Sequence, residues 1–335
     1  MSPVLALSDS ILPTNPKDSV NIFMRIAITG SSGYVGTLLL NRLSVNPRVE
    51  KILALDHKDP SIKPHEKVTS IKHDISEPMP SIFENNQIDT VVHLAYMLKP
   101  KLWGHLNRRV NVKGTENLID ACKNSSVKRI VYLSSTSVYG ALETNSIPLT
   151  ENVPPKPLNR FQYSEHKIMS EELIKNYSEI TPGVDYCILR CCPIMGPYVN
   201  NFISRAFLKP FLVKVSGANP ELQFIHEIDA INCLESVSIN HFTGTFNIAG
   251  KKSISWENMV KKLNIPTISI PAWLLYPITQ ISWLIRIQRE SPAIGLNFIR
   301  YPWLADTSKA INQGLFDPVY TASEAWDSYV SKINT

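Results

Sequence analysis

Between Ile26 and Arg190, short apolar β-prone runs alternate with stretches of helical periodicity, and this alternation is what most limits the folds open to the chain. The runs are Ile26-Ala27-Ile28-Thr29, Ile52-Leu53-Ala54-Leu55, Thr90-Val91-Val92-His93-Leu94, Arg129-Ile130-Val131-Tyr132-Leu133 and Tyr186-Cys187-Ile188-Leu189-Arg190. Between them, 35–43, 111–123 and 164–177 repeat apolar residues at helical spacing, as with Leu39 and Leu43. Strands that are apolar on successive residues must be covered on both faces, and intervening helices supply the cover. The expected architecture is α/β with a doubly wound parallel sheet. Beyond residue 191 prolines cluster and helical segments predominate, which reads as a smaller, mostly helical C-terminal substrate lobe over the carboxyl edge of the sheet.

The turn after the first run is Gly30-Ser31-Ser32-Gly33-Tyr34-Val35-Gly36, a G-x-x-G-x-x-G spacing between a strand and a helix. Glycine lets backbone approach a pyrophosphate without a β-carbon intervening, and the helix start offers unpaired N–H groups and a positive dipole end. Ser32, Tyr34 and Val35 fall in the same cradle. The second run stops at Asp56, where a carboxylate accepts hydrogen bonds from adenosine ribose hydroxyls and repels a 2′-phosphate. NAD is therefore favoured over NADP, moderately, because His57 and Lys58 follow. Asp74 and Ile75 fall where a third strand ends near the adenine; taken alone, Asp74 reads as a plain turn residue. The sheet is thus expected to be of the Rossmann type, with an N-terminal extension over 1–24 and an NAD-binding domain over 25–190. Residues 224–250 are expected to return to that domain, leaving 191–223 and 251–335 as the substrate lobe.

After the fourth run stand Ser134-Ser135-Thr136-Ser137, and further on Tyr163-Ser164-Glu165-His166-Lys167. Residues at i and i+4 share a helix face with β-carbons about 5–6 Å apart. A free tyrosine, pKa about 10, is too weak an acid to serve as a base near neutrality. A neighbouring ammonium and a positive nicotinamide ring lower that value by about 1–3. Tyr163 would then take an alcohol proton, Ser135 hold the substrate oxygen and Lys167 reach the nicotinamide ribose.

These motifs resemble the extended short-chain dehydrogenase/reductase family, which includes nucleotide-sugar epimerases and dehydratases and 3β-hydroxysteroid-type dehydrogenases. The resemblance runs from Arg25 nearly to the end, through His93-Leu94-Ala95, Asn111-Val112-Lys113-Gly114-Thr115, Leu189-Arg190, Phe224-Ile225-His226, Gly244-Thr245-Phe246-Asn247 and Ala305-Asp306-Thr307-Ser308-Lys309-Ala310. It implies that Leu94, Ala95 and Tyr96 border the cofactor and that Pro193 lies at the nicotinamide carboxamide. It also implies that Asn111 supports Lys167 through a helix distortion and water. The family's Ser/Thr position maps onto Ser135, with Ser134 and Thr136 as adjacent alternatives. A homodimer is usual in such proteins.

The chain departs from the nucleotide-sugar pattern at Pro193, where Asn is frequent, and at Leu222-Gln223, where an Arg-Asp pair is frequent. Arg205, Lys209 and Lys214 are the nearby cations, each expected to be solvated. An apolar stripe through Leu274, Ile278, Ile281 and Ile285 is expected to pack on the lobe's own core, the alternatives being an apolar substrate pocket or peripheral membrane contact.

Composition narrows the classes. Thirty-four basic residues are scattered among 29 acidic ones, so a nucleic-acid partner is not expected. Five cysteines form neither a C-x-x-C pair nor a zinc spacing, so no metal is assigned. No run of about 18 uncharged apolar residues occurs. The expectation is a cytoplasmic NAD-dependent oxidoreductase acting on a secondary alcohol or ketone, its small-molecule substrate apolar. The alternatives are an NAD-retaining nucleotide-sugar epimerase/dehydratase and a non-catalytic NAD-binding regulatory protein.

Overall fold

A computed structural model describes residues 23–58, 65–102 and 104–334, so all but the end of the 1–24 extension lies outside the described residues. Seven strands form one sheet: β1 (Met24–Thr29), β2 (Val49–Asp56), β3 (Val68–Lys72), β4 (Thr90–His93), β5 (Arg129–Ser135), β6 (Asp185–Cys191) and β7 (Gly244–Ile248). Their order is β7-β6-β5-β4-β1-β2-β3, and every pairing is parallel. The chain runs outward from β1 to β3 and then restarts at β4 on the other side of β1. That reversal opens a crevice at the carboxyl ends of β1 and β4, where open α/β sheets bind ligands.

The connections are helices: α1 (Tyr34–Ser44), α2 (Gly114–Lys123), α3 (Gln162–Ile180) and α4 (Glu227–Ile239). Alternate strand residues point to opposite faces, and each face has its own core. Ile26, Ile28, Val92, Val131 and Leu189 pack with α1 and α4 residues on one face. Ala27, Val91, Ile130, Tyr132 and Ile188 pack with Leu118 and Ile174 on the other. The doubly wound Rossmann-type expectation holds.

β7 lies beside β6. The apolar run 224–228 does not form a strand of this sheet: only Ile225–His226 is extended, pairing with Ile194–Met195, and α4 begins at Glu227. The lobe has a third core, with Phe207, Phe224, Trp256 and Trp326 in contact. It carries α5 (Ala272–Leu284) and α6 (Ala322–Ile333), with small two-stranded pairs between them and the sheet. Among the described residues, no helix is long and apolar enough to cross a membrane.

Candidate active site

The glycine turn sits at the mouth of the crevice. Gly30 has φ +73°, and a β-carbon there would stand 2.6 Å from the Ala95 nitrogen; one on Gly36 would stand 2.1 Å from the Gly30 carbonyl oxygen. Both glycines are needed to press the turn against the exit of β4 and the start of α1. Gly33 caps α1 in an extended conformation, and no side chain bonds to the free N–H groups of Tyr34, Val35 and their neighbours. Asp56 is buried behind the turn, accepting from the backbone N–H of Ser32 at 3.0 Å and of Lys58 at 3.1 Å, with His57 Nδ1 at 2.9 Å. Tyr34 points away from the turn: its phenol donates to Glu227, a buried carboxylate that also accepts from the Tyr198 N–H at 3.3 Å. Desolvation raises the pKa of both partners.

Asp74 is exposed and closes a local turn onto the Ser76 N–H at 2.9 Å, which holds its pKa down; Ile75 is buried against Gly114. Leu94 and Ala95 leave β4 through hydrogen bonds to Thr29. Tyr96 then enters the site, its hydroxyl donating to the Tyr163 carbonyl at 2.7 Å and its ring edge-on to that of Tyr163 at 5.4 Å.

Ser135 ends β5, its hydroxyl accepting from the Ser137 N–H at 3.2 Å and lying near enough to the Tyr163 phenol to favour its ionised form. Lys167 lies one turn further along α3. Its ammonium donates to the Leu133 carbonyl at 2.6 Å and stands over the rings of Tyr96 at 3.8 Å and Tyr132 at 4.6 Å. The sequence argument expects Lys167 to depress the tyrosine pKa; in the protein alone the balance is reversed. Desolvation pushes Tyr163 up to about 12, the Ser135 hydroxyl opposing it, and desolvation brings Lys167 down to about 7. Both charged forms lose hydration, and the lysine faces aromatic rings and a carbonyl rather than the phenol oxygen.

Asn111 lies in a π-helical turn, Arg109–Lys113, that precedes α2. Its carbonyl accepts from the hydroxyls of Thr115 at 2.7 Å and Ser170 at 3.1 Å, while its side chain accepts from the Met97 N–H at 2.7 Å. It therefore braces both α3 and the Tyr96 loop. His93 is buried between Thr29 Oγ1 at 2.8 Å and Thr115 Oγ1 at 3.1 Å, and desolvation lowers its pKa to about 3. Pro193 contributes its carbonyl to the Ile225 N–H at 3.1 Å.

Sequence reasoning missed a polar chain behind the catalytic face. Glu171, one turn past Lys167, is paired with Arg190 of β6 at 2.8 Å and accepts from the Ser134 hydroxyl at 2.5 Å. Arg190 donates to the Tyr139 hydroxyl at 2.9 Å, which donates to Asn247 of β7 at 2.8 Å. The available signal was an arginine inside an apolar strand, since a buried guanidinium requires a carboxylate partner. The arginine pairing and the Ser134 hydrogen bond keep the Glu171 carboxyl below its ordinary pKa although burial opposes them.

The uncapped start of α1, the acid at the end of β2 and a buried lysine with one hydrogen-bond acceptor together fit a dinucleotide stretched across the crevice. The family model described as "NAD dependent epimerase/dehydratase family" matches residues 26–234, more than half of the chain. The chain belongs to this family. It is an NAD-dependent enzyme of the short-chain dehydrogenase/reductase type.

An uncharacterized protein of Mycobacterium tuberculosis is 25% identical over 314 residues, covering 91% of this chain and 82% of that protein. UDP-glucuronic acid decarboxylase 6 of Arabidopsis thaliana is 28% identical over 271 residues, covering 74% and 76%. Among solved structures, MoeE5 in complex with UDP-glucuronic acid and NAD superimposes with TM-score 0.71 at 21% identity, covering 92% of this chain and 99% of that one. UDP-glucose 4-epimerase of Thermotoga maritima, solved with UDP-glucose, gives TM-score 0.72 at 17% identity, covering 93% and 99%. Likenesses at this identity show the fold.

Proposed function

We propose that this family member oxidises a secondary alcohol on a hydroxylated ring, with Tyr163 as the base. The observation that carries the reading is Tyr163 beside Ser135, with Lys167 one helical turn away on α3 and its ammonium on the Leu133 carbonyl at the carboxyl end of β5. The N–H groups at the start of α1 would hold the cofactor's pyrophosphate, Asp56 the adenosine ribose and Lys167 the nicotinamide ribose. When bound, NAD supplies a hydride acceptor and a positive ring. Ser135 would hold the substrate oxygen, and Tyr163 would take its proton. With a free-protein pKa near 12, Tyr163 needs added positive charge beside it to become a useful base. Asp56 disfavours a 2′-phosphate, so NAD should bind more tightly than NADP.

The relatives support a nucleotide sugar as substrate, oxidised transiently while the cofactor stays bound. A second reading, an apolar alcohol, is favoured by the groups standing where a diphosphate would need cations. Gln223 is occupied with both backbone groups of Ala305, at 2.7 and 3.1 Å, and Lys209 and Lys214 pair with Glu290 and Glu257. Phe161, Phe298 and Trp303 form an aromatic run leading away from Tyr163. A buried diphosphate needs fixed charged or N–H partners.

The test begins with native mass spectrometry of the purified protein for retained NAD. UDP-glucose, UDP-glucuronic acid and apolar secondary alcohols are then offered while NADH absorbance and products are followed. Conversion of a UDP-sugar without lasting NADH is the expected result. Sustained NADH from an apolar alcohol, with the sugars untouched, would install the second reading. Turnover unchanged in Tyr163→Phe would remove the proposed chemistry.

A further inference from the structure

α5 presents most of its apolar residues to solvent. At about 100° per residue, Trp273, Leu274, Ile278, Ile281, Leu284 and Ile285 fall within an arc of about 140°, and all six are exposed. The opposite face holds Leu275 and Trp283, flanked by Tyr276, whose hydroxyl donates to Asn297 at 2.7 Å, and Gln280, which accepts from the Ala293 N–H at 3.2 Å. The expectation that Leu274, Ile278, Ile281 and Ile285 pack on the lobe core is thereby overturned. The core-facing residues are Leu275 and Trp283, because hydrogen-bonding partners in the turn Ala293–Ile299 claim the polar side of the helix.

The apolar surface continues beyond the helix. Ile287 is 78% exposed. The rim is basic. From Pro266 to Arg289 the sequence contains two cations, Arg286 and Arg289, and no acid; the next acid, Glu290, is bound to Lys209. Scattered exposed apolar residues are ordinary, whereas a contiguous apolar helix face with a polar rim marks an interaction surface.

We propose that this face docks on an anionic lipid surface, with α5 lying in the plane of the headgroups. Thirteen residues span about 20 Å as a helix, too short to cross a bilayer but suited to lying along one. Trp273 fits the headgroup boundary, where an apolar ring with a polar N–H is stabilised. Charge decides between lipid and a second copy of the chain. A second copy of the same face brings the same two arginines and no acid between Pro266 and Arg289 to neutralise them, whereas anionic headgroups do. The proposal concerns a surface that does not include Tyr163 and stands independently of the substrate assignment.

The experiment is flotation of the full chain with phosphatidylcholine vesicles, with and without phosphatidylglycerol. Co-flotation with the anionic vesicles and little with the neutral ones is expected. Ile278→Ser combined with Ile281→Ser should cut partitioning about tenfold with thermal stability unchanged, since binding follows buried apolar area. Arg286→Gln with Arg289→Gln should remove the preference for anionic lipid. Quenching of tryptophan fluorescence by brominated lipid should fall in Trp273→Phe. Absence of flotation on either vesicle overturns the proposal, as does equal binding by the Ile278→Ser/Ile281→Ser protein. A concentration-dependent dimer, abolished by that variant and unaccompanied by flotation, would overturn it in favour of a second copy.

Discussion

Helices α3 and α5 invert the usual rule in opposite senses. Helix α3, which carries Tyr163 and Lys167, buries Ser164, His166, Lys167, Ser170 and Glu171, while α5, without a charged residue, turns Leu274, Ile278, Ile281 and Leu284 outward. In α3 the polar face meets polar partners: Ser134 and Arg190 receive Glu171, the Leu133 carbonyl receives Lys167, and the Asn111 carbonyl receives Ser170. In α5 the polar face is taken up by the neighbouring turn, and the apolar face is left to solvent. Amphipathic pattern therefore reports that a helix has two faces; which one is buried depends on what the neighbours offer. A helix whose burial contradicts its polarity is a helix to examine for function.

The largest test of this contrast is at the catalytic face. Tyr163→Phe should lower turnover by about 10²–10⁴-fold while NAD affinity, followed by calorimetry, stays within a few-fold. Loss of NAD binding to the same degree would mean that the ring is structural.

Next comes the buried pair. Glu171→Ala strands Arg190, which is 2% exposed, so denaturant unfolding should show a loss of about 3–5 kcal/mol. Joint replacement with Arg190→Met should recover part of it. A loss below about 1 kcal/mol would show that the polar side of α3 tolerates solvent.

His93 gives the same region a pH signature. It is neutral in the fold, pKa about 3 against 6.5 ordinarily, because burial penalises the cation. Its stabilising contribution is complete above pH 6.5 and is lost as pH falls toward 3, with a slope of at most about 1.4 kcal/mol per pH unit. Thermal unfolding of His93→Gln should show a flatter acid limb than the parent; identical limbs would assign the acid loss elsewhere.

The smallest effect is expected on the outer face of α5. Ile278→Ser and Ile281→Ser should each shift stability by less than about 0.5 kcal/mol, whereas Leu275→Ala on the inner face should cost about 2–5 kcal/mol. Reversal of that order would return the stripe to the lobe core.

The legible parts of this molecule are local. Unbroken apolar runs such as 52–55 and 130–133 demanded cover on both faces, which made a parallel sheet readable. Glycine spacing between strand and helix marked the turn, and a four-residue interval placed Tyr163 and Lys167 on one face. Of the apolar run 224–228 only Ile225–His226 is extended, because Phe224 serves the lobe core and Glu227 starts α4.

By itself, then, the sequence determined the doubly wound sheet, the glycine turn between β1 and α1 and the tyrosine–lysine pair, because periodicity and spacing act over a few residues. Tertiary structure alone decided three further things. It joined Glu171 to Arg190 across 19 residues and Tyr139 to Asn247 across 108. It enclosed Tyr163 and Lys167 so that lost hydration outweighs their mutual influence. It turned the apolar stripe of α5 outward. Each depends on which distant groups arrive beside a side chain, and desolvation and pairing energies exist only once they have arrived.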